Sequence, residues 1–115
     1  MQVRQRDIWL ADLREPVGSE AGYLRPVIVL QADDMNVSRL TTYLVAPLTS
    51  MAIRISVPWN LALSASTPGL TKASIAQTNL LLTVNERQLA EHLGRISLSQ
   101  LRQLFACLDI ALGRT

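Results

Sequence analysis

Residues Gly18–Leu30 read GSEAGYLRPVIVL. A glycine-bounded polar loop passes through an Arg-Pro step straight into four aliphatic residues, Val27 to Leu30. A short continuous apolar run bounded by loop residues reads as a strand buried on both faces, here over Pro26–Gln31. The loop before it holds a carboxylate, Glu20, and a guanidinium, Arg25, five residues apart. On an ordinary surface such a pair is worth little. At the end of a buried strand it is a pair of groups presented by a rigid scaffold.

The pattern extends outward from this strand. Asp7–Leu13 (DIWLADL) alternates well enough for a first strand, and residues 14–25 form a long loop carrying Pro16, Gly18 and Gly22. Asp33-Asp34-Met35-Asn36 reads as a turn or one helical turn. Thr41–Leu48 (TTYLVAPL) is a third strand, with Pro47 marking its end or a bulge. Residues 53–63 hold one or two further strands interrupted by Pro58, and STPGLTKA (66–73) is a turn. Lys72–Thr78 and Leu80–Val84 extend the sheet. From Ser97 the period changes: Ser97 and Gln100 form a capping box, Leu98, Leu101, Leu104, Phe105, Leu108, Ala111 and Leu112 follow at helical spacing, and Gly113 supplies the stop. Several short strands and then one amphipathic helix predict a mainly β fold with α, a small curled sheet or barrel with the helix packed on it.

The 115 residues are 49% hydrophobic and 17% charged, which fits one globular domain over 1–115 and no disordered tail. There is no repeat and no low-complexity linker. Charges within MQVRQRD rule out a signal peptide at this end, and no apolar run reaches bilayer length, so a cytoplasmic protein is expected. One Cys and one His cannot build a zinc cluster, and Cys107 reads as a small buried hydrophobe on the apolar side of the helix. A nuclease built on two histidines is excluded, because His92 is the single imidazole, expected at a surface or an interface. No phosphate-cradling glycine loop and no nucleophile elbow occurs. Ten of the eleven cations are Arg, whose planar fork suits phosphate, and the pI near 9.2 permits a nucleic-acid partner.

Three features carry chemistry: the loop with Ser19, Glu20 and Arg25; the D-x-x-N-x-S-R run from Asp33 to Arg39; and Ala46-Pro47-Leu48-Thr49-Ser50, with two hydroxyls at a strand end. Singly, each is matched by a bland reading as loop, cap or strand-end turn. In this order and spacing, GSE-x-x-x-x-RPV-x-V-x-Q, D-x-x-N-x-S-R and APLTS, with G-L-x-K-x-S (69–74) and LGRIS (93–97) after them, the chain resembles the MazF/PemK family of toxins.

The resemblance covers nearly the whole chain and implies an SH3-like small β-barrel with a C-terminal helix. It also implies a homodimer, and a ribosome-independent endoribonuclease that cuts single-stranded RNA and is blocked by a cognate, MazE-like antitoxin. Carried over by motif, the catalytic residues fall on Arg25, Thr49 and Glu20. Ser19 and Ser50 would line the RNA groove, together with Arg54, Gln77 and Asn79. Because the RNA 2′-OH is its own nucleophile, the residues need only accept a proton (Glu20) and hold the phosphorane oxygens (Arg25, Thr49). No metal or other cofactor is expected.

The chain departs from the family where relatives carry Gln, Arg and Asp, having Leu80, Leu82 and Asn85 instead. This removes a cation, which Arg54 or Arg87 would have to replace. The competing readings are a CcdB-like toxin that poisons a protein such as gyrase, which needs no Arg25–Thr49 pair, and a catalytically weakened relative.

Overall fold

The computed structural model describes residues 1–14, 17, 18, 23–50 and 57–115. Seven antiparallel strands, β1 (Asp7–Asp12), β2 (Leu24–Val29), β3 (Thr42–Ser50), β4 (Asn60–Leu63), β5 (Ser74–Gln77), β6 (Leu82–Asn85) and β7 (Leu89–Arg95), form one sheet in the order β4-β5-β3-β2-β1-β7, with β6 also paired to β3. A four-residue helix α1 (Asp33–Asn36) follows β2, and α2 (Leu98–Ala111) ends the chain. The sheet curls in barrel-like fashion, and among the described residues it is not closed by hydrogen bonds, β4 and β7 being its ends.

The apolar run does serve two faces. Val27 and Val29 join Trp9, Ala11, Tyr43, Val45 and Val84 in one core. Ile28 and Leu30 join Ile8, Ala46, Leu48, Ile96, Leu101 and Leu104 in the other. Side-chain alternation along a strand requires this division once both faces are covered, and each buried aliphatic contributes about 1.5–3 kcal/mol.

Several boundaries differ from the sequence reading by a residue or two, and Leu80 falls in a 3₁₀ turn ahead of β6; two of the differences, both near prolines, bear on the site. β2 starts at Leu24, so Arg25 is a strand residue paired with Ala11, not a loop residue. β3 runs through Pro47 to Ser50. Leu44 accepts the Leu30 N–H at 3.0 Å, so even-numbered residues of β3 turn their amides toward β2, and Pro47 turns the opposite way. On that side β6 pairs with residues 42–45 and β5 with 48–50. The proline's missing N–H therefore points into the gap between two partner strands, where no ladder bond is lost.

α2 forms where its capping box predicts: Gln100 N donates to Ser97 Oγ (3.0 Å) and Ser97 N to Gln100 Oε1 (2.8 Å). Gly113 ends it at φ +70. Leu101 and Leu104 are buried and Leu108 half-buried, packed on the second core, but Leu98, Phe105 and Leu112 remain exposed. The helix rests on β4 and the 3₁₀ turn Thr78–Leu80, so a line at seven-residue spacing faces outward. No helix among the described residues is long and apolar enough to cross a membrane.

Candidate active site

Pro26 opens the site. Leu30 donates its N–H to β3, and alternation turns the amide position of Pro26 the same way. The β2–β3 ladder pairs Val29 with Val45, Ile28 with Ala46 and Val27 with Pro47. Its next pair would join Pro26 to Leu48, but Pro26 has no N–H to give, and the ladder stops. Beyond this point β2 continues against β1 and β3 against β5. Arg25 on β2 and Thr49 on β3 each lie two residues beyond the last pair of this ladder, Arg25 paired with Ala11 and Thr49 with Ile75; Thr49 lines the groove beside them and Arg25 does not. The Arg-Pro and Pro-Leu-Thr-Ser motifs thus meet across a seam that one of their own prolines creates.

Beside this seam lies a groove of about 360 Å³ lined by Leu10, Pro26, Leu48, Thr49, Ser50, Leu93 and the segment 69–74 other than Ala73. Thr49 is half-buried and Ser50 exposed. Arg25, half-buried next to Pro26, makes no side-chain hydrogen bond or ion pair among the described residues, so its fork is free for a ligand. Tyr23, two residues before it, is 62% exposed and held at φ +61, a conformation unfavourable to a bulky side chain. It closes the β1–β2 connection with Leu13 N donating to its carbonyl (2.9 Å) and its own N–H donating to Arg14 O.

The other expected site residues divide into two groups. Glu20, Ser19 and Arg54 lie outside the described residues. Gln77, at the end of β5, and Asn79, in the 3₁₀ turn after it, do not line the groove. Gln77 pairs in register with Asn60, and Gln77 Oε1 and Asn60 Oδ1 are buried without a hydrogen-bond partner.

The departures from the family pattern have structural uses. Leu82 packs on the first core. Asn85 caps the 3₁₀ turn Glu86–Gln88, accepting from Arg87 N (3.0 Å). Arg87 does not line the groove, whereas Lys72 does. The sequence reading used Lys72 as a motif letter and a strand start and gave it no place at the site; its position next to the Gly69 turn was the available signal.

His92 takes part in a second polar cluster. Asp7, 4% exposed, accepts at Oδ2 from Arg4 N (2.8 Å) and Trp9 Nε1 (3.3 Å), while Oδ1 faces His92 Nε2 (3.3 Å) and Arg95 Nε (3.6 Å). Cys107 is half-buried, its Sγ donating to Asn60 O (3.7 Å), and burial pushes its thiol pKa up, away from nucleophilic use. Among the described residues no three His, Cys, Asp or Glu side chains converge as a metal-holding group.

Residues 4–112 match the family model described as PemK-like, MazF-like toxin of type II toxin–antitoxin system. The chain is 33% identical over 104 residues to endoribonuclease MazF6 of Mycobacterium tuberculosis, covering 90% of this chain and 91% of that one. It is 31% identical over 111 residues to endoribonuclease MazF of Staphylococcus saprophyticus, covering 96% and 92%. A solved mycobacterial endoribonuclease in complex with its cognate antitoxin superposes with a TM-score of 0.79 at 17% identity, over 98% of this chain and 97% of that chain.

Proposed function

The chain belongs to the PemK-like, MazF-like toxins of type II toxin–antitoxin systems and is an endoribonuclease, and from that premise we propose how and where it cuts. The substrate is single-stranded RNA, cleaved at a short sequence in the cytoplasm. The 2′-oxygen attacks phosphorus, its proton passes to Glu20, and the P–O5′ bond breaks as the 5′ oxygen takes up a proton. The products are a 2′,3′-cyclic phosphate and a 5′-hydroxyl, formed without a metal ion. Arg25 grips two phosphorane oxygens through its fork and Thr49 donates a third hydrogen bond. The observation that supports this reading is the seam itself: an Arg25 guanidinium with no partner among the described residues and the Thr49 hydroxyl each follow the point where the β2–β3 ladder stops.

A cognate antitoxin neutralises the groove, in keeping with the antitoxin complex of the mycobacterial endoribonuclease. The working form is a homodimer, supported by the outward line Leu98, Phe105 and Leu112 on α2. A stable interface needs about 800 Å² per partner, and sedimentation of monomer alone at micromolar concentration would refute it.

Single-turnover cleavage of a long single-stranded RNA in EDTA tests the mechanism. Wild type should give discrete products. Arg25→Lys keeps the charge but loses the fork and should cut roughly 10²-fold more slowly, while Glu20→Gln should remove the acidic limb of the pH–rate profile. Intact RNA together with inhibited DNA supercoiling would favour a gyrase-poisoning toxin.

A further inference from the structure

Resting on the RNA-cleavage reading above, we infer that Lys72 is a phosphate-binding residue of the groove, fixed there by a backbone contact between Gly69 and Gly94. Among the described residues that line the groove Lys72 is the only charged one, and no carboxylate opposes it. Its side chain is exposed and makes no hydrogen bond or ion pair among the described residues. The ammonium is thus free to meet a phosphate passing between the wall 69–72 and the strand end at Thr49 and Ser50.

The wall is anchored at three points. Ser74 Oγ donates to Lys72 O (3.0 Å), and Ser74 pairs with Ser50 in the β3–β5 ladder. Thr67, buried, accepts from Gln100 Nε2 (3.4 Å) of the α2 capping box, and consecutive turns are closed by Thr67 N to Ser64 O and Leu70 N to Thr67 O. The third anchor is the crossing of two backbones. A Cβ on Gly69 would lie 2.6 Å from the Leu93 carbonyl oxygen, and one on Gly94 would strike the carbonyl oxygen of Pro68. Gly69 also sits at φ +94. Only glycine at both positions lets the wall lie flat on β7, which explains two motif glycines by one contact. Gly94 is a positioning residue that acts through this wall on Lys72.

Each phosphate neutralised on a single strand contributes about 0.7 to the log–log salt slope, and two to four contacts give about −1.5 to −3 in all. The test is binding of a labelled single-stranded RNA with 2′-O-methyl groups, which cannot be cleaved, to the full chain between about 50 and 200 mM salt. Lys72→Ala should make the slope shallower by about 0.7 and weaken binding several-fold at the low-salt end. Lys72→Arg should restore both, and Arg102→Ala, exposed on α2, should change neither. Gly94→Ala should reproduce the Lys72→Ala slope, and the double variant should lose no further slope. Its fold is checked by circular dichroism; if Gly94→Ala does not fold, the Lys72 pair alone decides. Wild-type slope and affinity in Lys72→Ala overturn the inference and leave the cleavage reading standing. A wild-type chain that neither binds nor cuts RNA overturns both.

Discussion

The two oxygens of Asp7 perform separable jobs, and substitutions can measure each. Oδ2 accepts from the Arg4 amide and the Trp9 indole, and Oδ1 faces the His92 imidazole and the Arg95 guanidinium. Asp7→Ala removes both jobs. The Trp9 indole N–H is left in a buried site and the Arg4 amide loses its partner, at about 1–3 kcal/mol each. The His92 ring and the Arg95 guanidinium turn partly to solvent, because their side chains are 48% and 39% exposed, so the loss of their contacts adds about 1 kcal/mol at most. The expected total is about 3–5 kcal/mol, in the range for breaking a buried pair.

Asp7→Asn can keep its oxygen on the Oδ2 side and retain both structural hydrogen bonds, but it turns an NH₂ donor toward two other donors. Its expected cost is about 1–2 kcal/mol. Urea unfolding at fixed protein concentration, which matters for an associating chain, reads both values. In a cycle with His92→Ala, the cost of Asp7→Asn should shrink while the difference between Asn and Ala at position 7 stays constant. A cost under 1 kcal/mol for Asp7→Ala would refute the network. Equal costs for the two variants would refute the division between its oxygens.

Pro26→Ala restores an amide aimed at Leu48; the added hydrogen bond and the lost chain stiffness nearly cancel, so stability should move by no more than about 1 kcal/mol. Single-turnover cleavage should nonetheless fall at least about tenfold as the seam closes, since small misplacements of reacting groups are costly; unchanged cleavage would show that the proline does not hold it open. Ser97→Ala deletes the N-cap of α2 and should cost about 1 kcal/mol in urea unfolding, with Ser97→Asp recovering most of it. The Gln5 amide donating to Asp33 (2.8 Å) holds that carboxyl below its ordinary 3.8. Stabilisation from this bond is complete above 3.8 and is lost as the pH falls through the lowered value, so Asp33→Asn should flatten the acid end of the stability–pH curve; an unaltered acid limb would refute it.

Local features were readable in the sequence because their causes are local. The two-sided burial of Val27–Leu30, the Ser97–Gln100 box and the Gly113 stop all follow from neighbouring residues, and the structure has each of them. Pro47 read as a strand end or a bulge, yet β3 runs through it, because a proline's tolerance depends on which way its nitrogen faces, and that depends on partner strands far along the chain. The exposure of Leu98, Phe105 and Leu112 was hidden for a related reason: periodicity marks an apolar face but not how much of it a neighbour covers. Within the site, motif spacing brought Arg25 and Thr49 to attention. Lys72 became visible only once the Gly69–Gly94 crossing turned a loop residue into a groove wall.

The pairing of β1 with β7 has a consequence for timing. Asp7 meets Arg95, eighty-eight residues later, and closing a loop of that length costs about 4 kcal/mol in chain entropy before any contact compensates. Leu10 and Leu93, one from each of these strands, both line the groove. A chain still being synthesised holds Arg25 and Thr49 long before it holds that floor. The groove's lining is complete only when almost every residue is present, because its β1 and β7 walls come from opposite ends of the chain.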